Sequence, residues 1–200
     1  MKTANRQPII LASQSPRRSA LLAEAGIPFE AVAPRYEEPA TGGLHVNPAA
    51  FAQSVSYYKA ASLADDYPDR FILGADTVVA VGNHMFGKPA DVNDARDILT
   101  ALMGVTQQVI TGVTLLHAAS DRRLIAHDIT NVTMRKMSPE ELDTYLAGGD
   151  WEGKAGAYGI QGEADRFVEK CEGSYSNVVG LPVELVKRML RKFSTALQTV

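Results

Sequence analysis

A chain of 200 residues can build one sizeable hydrophobic core, and its 46% hydrophobic and 22% charged residues are the ordinary balance of a soluble globular protein. Its net charge of −3 offers no general field to a polyanion, so nucleic acid is not an expected partner and any phosphate must be met by a local cationic pocket. The single cysteine, Cys171, excludes a disulfide within the chain and fits a reducing compartment.

The N-terminal MKTANRQPIILAS has too short an apolar run for a signal peptide or a membrane span, which reads as a cytoplasmic protein without a membrane partner. Residues 8–12 of that run form a short buried strand by their pattern. Ser15 then offers an N-cap, Pro16 fits the first helical position, Leu21, Leu22 and Ala25 follow at helical spacing, and Gly26 is the natural stop. Residues 27–34 read as a second strand, 36–50 as a loop rich in Pro and Gly, and 49–64 as a helix carrying Tyr58 and Lys59. FILGADTVVAV (71–81) is a strong central strand, which Gly74-Ala75-Asp76-Thr77 is expected to interrupt. Residues 82–91 read as turn and loop, and 93–103 as a helix capped by Asn93 and ended by Gly104. Strands near 107–117 and 122–135 form a hairpin about Ser120-Asp121. Ser138-Pro139-Glu140-Glu141 is a capping box that opens a helix to about Ala147. Glycine-rich 148–162 leads to a strand near 165–171, a turn over 172–176 and a last helix over 182–195. The alternation predicts a single α/β domain over 1–200, a mixed sheet with helices on both faces.

Four stretches carry groups that can do chemistry. SQSPRR sets Ser13, Ser15, Arg17 and Arg18 at a helix N-terminus, where unpaired N–H groups and the helix dipole favour an anion. Cations placed there oppose the dipole unless an anion joins them, although basic residues at helix ends are also common on plain surfaces. In ILGADTVV, Asp76 sits among apolar residues, and an unpaired buried carboxylate is expensive. A structural salt bridge would resolve that cost; so would a functional cleft holding a metal ion or a cation. Lys88 in FGKPAD and Lys59 beside Tyr57 and Tyr58 point into a pocket or into water, and of the adjacent Glu37 and Glu38 at most one can face a given site. In GKAGAYGIQG, glycines allow close backbone approach to a ligand, and Gln161 offers both a donor and an acceptor to a base edge. His45, His84, His117 and His127 have no zinc spacing, and no nucleophile elbow or P-loop is present.

Taken together and in order, LASQSPRRSALL, GADTVV, GKP, KAGAYGIQG and GSYSNVVGLP resemble the Maf family of nucleotide pyrophosphatases, from about residue 9 to about residue 190. The resemblance implies an elongated mixed sheet flanked by helices, with a cleft between two lobes, similar to the inosine triphosphate pyrophosphatases. It implies hydrolysis of a nucleoside triphosphate to the monophosphate and pyrophosphate, with Mg2+ or Mn2+ as cofactor. It makes Asp76 the catalytic carboxylate, as proton acceptor or metal ligand with Glu38. Ser13, Arg17 and Arg18 would lie at the substrate phosphates, and Glu38, Lys59 and Lys88 would complete the polar cleft. Members acting on dTTP and UTP carry Arg, Thr and Gln where this chain has Arg18, Thr77 and Gln161. Members preferring 7-methyl-GTP instead carry Trp in the SPRR segment and Glu for the Gln. The expected function is therefore hydrolysis of dTTP and UTP in housekeeping of nucleotide pools, by a homodimer if the family pattern holds. The alternatives are the same reaction on 7-methyl-GTP or modified nucleotides, and a nucleotide-binding regulator of cell division. Two departures from the family pattern bear on substrate range: Asp150-Trp151-Glu152-Gly153 replaces a Glu-Pro segment, and Glu163 and Asp165 add acids after Gln161.

Overall fold

The structure is a computed structural model that describes residues 7–39 and 46–197, with side chains described as far as Phe193. Residues 40–45 of the expected loop, His45 among them, lie outside the described residues. Among the described residues, seven strands form one mixed sheet: β1 (Ile9–Ala12), β2 (Phe29–Val32), β3 (Ile72–Val81), β4 (His84–Phe86), β5 (Thr106–His117), β6 (Arg122–Met134) and β7 (Val168–Glu172). The order is β2-β1-β3-β5-β6-β7, with β4 also on β3; the β1 pairings are parallel and the others antiparallel. Six α-helices among the described residues accompany it: α1 (Pro16–Glu24), α2 (Pro48–Ala61), α3 (Val92–Leu102), α4 (Pro139–Ala147), α5 (Tyr175–Val179) and α6 (Val183–Leu197). None of the described helices is long and apolar enough to cross a membrane.

The period-2 rule of a strand explains the layers. Leu73, Ala75 and Val79 of β3 point to one face, where they join two buried clusters. Leu73 and Ala75 pack with α1 and α6, whereas Val79 packs with α3 and α4. Ile72, Val78 and Ala80 point to the other face, which α2 covers through Ala52 and Ala60. Helix α2 lies very close to the sheet because Gly74 and Gly112 have no side chains. A Cβ on Gly74 would meet the Ser56 carbonyl oxygen, and one on Gly112 would meet the Ala52 backbone. Ser56 Oγ also bonds Thr114 Oγ1 across this contact at 2.8 Å. Gly112→Ala must therefore lift α2 from the sheet, and overpacking of this kind costs about 1–3 kcal/mol. The expected result is a lower denaturation midpoint together with lost activity, since α2 carries Lys59.

Several sequence expectations need correction. Strand β3 is not interrupted at Gly74–Thr77; it pairs with β5 from Ile72 to Ala80 without a break. What is interrupted is its other side. β1 pairs with β3 as far as Gly74, and β4 pairs only from Val79, so Ala75–Val78 have no strand neighbour there. The sheet has a notch at this point. The segment expected to be turn and loop holds β4, a short hairpin return across Gly82. Helix α3 is capped by Asp91 rather than Asn93, because the Asp91 carboxylate accepts from the Asn93 and Asp94 N–H groups. Ser15 has N-cap backbone geometry, but its side chain bonds no N–H of the first turn. The region expected to be strand from 165 begins as a 3₁₀ turn (Glu163–Phe167), and α5 occupies part of the expected turn. The capping box at Ser138 and Glu141 is present as expected.

Candidate active site

The notch in the sheet opens into a cavity of about 690 Å3. Ser13, Arg17, Arg18, Glu38, Lys59, Asp76, Thr77, Lys88 and Gln161, all of the expected site residues, line it. A second cavity of about 630 Å3, with Phe51 and His84 in its wall, shares Glu38, Asp76, Thr77 and Lys88 with the first. On a continuous strand Asp76 and Thr77 point to opposite faces. Both reach the same space because the neighbouring strands stop on either side of them.

Lys59 is the hub. Its ammonium is 2.7 Å from Asp76 Oδ1 and 2.7 Å from Glu38 Oε1, and Glu38 Oε2 lies 3.3 Å from Lys88 Nζ. Lys59 is 3% exposed and Asp76 7%, so the pair stands in low dielectric, where each charge depends on the other. Burial pushes the Glu38 carboxyl up, but hydrogen bonds and charge from Lys59 and Lys88 outweigh it and hold the group below its ordinary value. Only Glu38 of the Glu37-Glu38 pair faces the cavity. The Asp76 salt bridge is therefore real, and it lies within the wall of a cavity. Asp76 Oδ2 takes no hydrogen bond from the described residues, which leaves it available to a ligand.

The two arginines of SPRR separate. Arg18 is a half-buried strut: Nε donates to the Gly180 carbonyl at 2.9 Å, Nη1 to Ser13 Oγ at 3.2 Å and Nη2 to Thr77 Oγ1 at 3.2 Å. Burial lowers its pKa from the ordinary value, while the charges of Asp76 and Glu38 act in the opposite direction. Arg17, half-buried in the cavity wall, has no hydrogen-bond or ion-pair partner among the described residues. Ser13 is buried and accepts from both Arg18 and the Ser15 N–H. The first turn of α1 carries no acidic residue and no side-chain cap, so its N–H groups and Arg17 face the cavity region unneutralised. That combination suits an anion.

The glycine-rich loop is ordered around buried Tyr158, whose hydroxyl bonds the Gln107 side chain at 3.2 Å and which burial pushes up to about 12. Lys154 is bound by the Asp150 carboxylate and carbonyl, and both residues line the cavity beside Gln161. The extra acid Glu152 of the divergent segment also reaches this wall, while Glu163 and Asp165 do not. Cys171 lies outside the cavity, and burial raises its thiol pKa, so it is no activated nucleophile. Thr111 escaped the sequence reading, and Asn177 and Gly180 entered it only within GSYSNVVGLP, without roles of their own. The signal available for the first was a Thr inside the apolar run VITGVTLL, and its meaning appears only once the strand register places it opposite Thr77.

Comparison with known proteins gives the chain's relatives. The family model described as "Maf-like protein" matches residues 8–193. A protein of Bacillus cereus named dTTP/UTP pyrophosphatase is 40% identical over 190 residues, 95% of this chain and 92% of its own length. One of the same name from Pelotomaculum thermopropionicum is 41% identical over 185 residues, 92% of this chain and 96% of its own. The solved structure of a HAM1 protein from Coxiella burnetii shares the fold, with a TM-score of 0.51 at 16% identity over 92% of this chain and 98% of that one.

Proposed function

The chain belongs to the Maf family, and from that premise we propose that it is a pyrophosphatase that hydrolyses dTTP and UTP to the nucleoside monophosphate and pyrophosphate. The single observation that carries the reading is the buried Lys59 held between Asp76 and Glu38 in the wall of a cavity that Lys88 and Arg17 also line. A phosphoanhydride breaks when a water is positioned, the oxygens are neutralised and the leaving group is stabilised. Asp76 Oδ2 takes the proton of a water aimed at the α-phosphorus. Lys59 fixes the Asp76 carboxylate by binding its other oxygen. Lys88 and Arg17, with the uncapped first turn of α1, take the charge of the polyphosphate and of departing pyrophosphate. Arg18 holds Thr77 and Ser13 in place from behind.

The chain also fits a divalent cation in part. Among the described residues no three His, Cys, Asp or Glu side chains gather at one point. Asp76 and Glu38 do present hard carboxylate oxygens on one ammonium, and Mg2+ is commonly held by one or two carboxylates with substrate phosphates and water. Asp76 and Glu38 would hold the ion, which when bound supplies neutralisation of phosphate charge. The same reading puts the enzyme in the cytoplasm, among its substrates. The test is incubation of the purified protein with Mg2+ or Mn2+ and separate dTTP, UTP, CTP, GTP and 7-methyl-GTP. Monophosphate and pyrophosphate from dTTP and UTP are expected. Preference for 7-methyl-GTP would overturn the substrate assignment, and intact binding without turnover would turn the reading towards a regulator.

A further inference from the structure

We propose that Thr111 is a specificity-determining residue: it holds the Thr77 hydroxyl in a state that accepts but does not donate a hydrogen bond, so that the site selects the imide N–H of uracil and thymine. The proposal rests on the reading that the ligand is a nucleoside triphosphate. Its argument is one of proton direction along a chain of hydroxyls.

Thr77 faces the cavity from the notch, half-buried between the buried Asp76 and Val78. Three protein groups surround its hydroxyl. Arg18 Nη2 at 3.2 Å can only donate, the Gly180 carbonyl at 3.4 Å can only accept, and Thr111 Oγ1 at 2.9 Å can do either. Thr111 is fully buried, and its own hydroxyl lies 3.3 Å from the Asn177 carbonyl, which can only accept. The Asn177 side chain is pinned by donating to the Val109 carbonyl at 2.9 Å and to Thr130 Oγ1 at 3.0 Å, so that carbonyl cannot drift away. The proton order that satisfies the chain is Arg18 to Thr77, Thr77 to Thr111, and Thr111 to Asn177. The reverse order would send the Thr77 proton to Gly180, a contact at the weak end of hydrogen-bond length. In either order the Thr77 proton stays inside the protein. In the favoured one, a lone pair of Thr77 remains for the cavity.

That state decides what Thr77 can meet. Phosphate oxygens are acceptors and gain nothing from it. A ring N–H gains a hydrogen bond. Uracil and thymine present N3–H between two carbonyls, and cytosine presents a bare N3 acceptor at the same place. The N–H groups that Arg18 does not use and the Gln161 amide, in the same cavity wall, suit the flanking carbonyls. Set against N3, Thr77 accepts uracil and thymine alike and rejects cytosine, because two acceptors would face each other with no proton between them.

The test compares UTP, N3-methyl-UTP and CTP in equilibrium binding and in turnover, on the wild-type protein, Thr111→Val and Thr111→Ser, with circular dichroism as the folding control. Wild-type protein is expected to prefer UTP over both others by about a hundredfold. Thr111→Val leaves the Thr77 proton only the weak 3.4 Å contact to the Gly180 carbonyl, from which it can turn towards a cavity acceptor, and the CTP-to-UTP ratio of kcat/KM should rise about tenfold. Thr111→Ser restores the hydroxyl and should keep the wild-type ratio, which a merely structural role of Thr111 would not predict. An unchanged ratio in folded Thr111→Val overturns the proposal. So does wild-type protein that binds N3-methyl-UTP as well as UTP, a result that needs no variant. If UTP is bound in preference to CTP and N3-methyl-UTP but no nucleotide is hydrolysed, the reaction reading falls and this inference stands.

Discussion

Asp76→Asn is expected to cut turnover of UTP by about a thousandfold while the protein folds and binds nucleotide, because general-base assistance contributes about 10²–10⁴. The fold survives because an Asn oxygen can still accept from Lys59 Nζ, now 2.7 Å from Asp76 Oδ1, and Glu38 continues to balance the ammonium from the other side. KM should change little, because loss of the Asp76 charge eases its repulsion of the polyphosphate while Glu38 remains to hold the metal ion. The loss should thus fall in kcat, as befits a group that acts on the transition state rather than on uniform binding. Steady-state kinetics on the folded variant decide the matter. Near-full turnover would remove Asp76 from the chemistry.

The second large effect belongs to Lys59→Met. It leaves the Asp76 carboxylate, 7% exposed, with its cation gone and Glu38 close by as a like charge. Breaking a buried ion pair on one side costs about 3–5 kcal/mol. Glu38 is 41% exposed in its side chain and can turn towards Lys88, so most of the cost falls on Asp76. Activity should vanish with stability. The pH dependence gives this prediction a distinct signature. In the wild type the Glu38 carboxyl is held below its ordinary value, so its contribution is whole above the normal carboxylate range and is lost as pH falls through the depressed value. In the variant the Lys59 contribution to Glu38 is already absent, so acid has less to remove and the stability gap narrows as pH falls. Urea denaturation of the two proteins at pH 7 and pH 4 measures it, and a gap that widens in acid would contradict the account.

Most of the architecture was legible because its signals are local. The Ser138–Glu141 capping box, the hairpin about Asp121 and the helical spacing after Pro16 each specify themselves within a few residues. The errors arose where a distant element decides. Gly74–Thr77 looks like a break in a strand, yet its glycine is there to admit α2 and its Asp and Thr to face a notch made by the ends of β1 and β4. Ser15 looks like a cap, yet its N–H is drawn to Ser13 and its side chain leaves the helix end open. The site residues were named from motif and resemblance, and their division of labour was not visible. Adjacent arginines in the sequence become a hydrogen-bonded strut and an unpaired cation, because only Arg18 lies under Gly180 of the turn that follows α5. Thr111 carried no motif at all, and its place beside Thr77 follows from the β3–β5 register.

The account stands on water attacking the α-phosphorus at the Asp76–Lys59 pair. Hydrolysis of UTP in water enriched with oxygen-18, followed by mass analysis of both products, tests that claim directly. The label is predicted in the nucleoside monophosphate, with none in pyrophosphate. Label in pyrophosphate, or release of nucleoside diphosphate and inorganic phosphate, would contradict it.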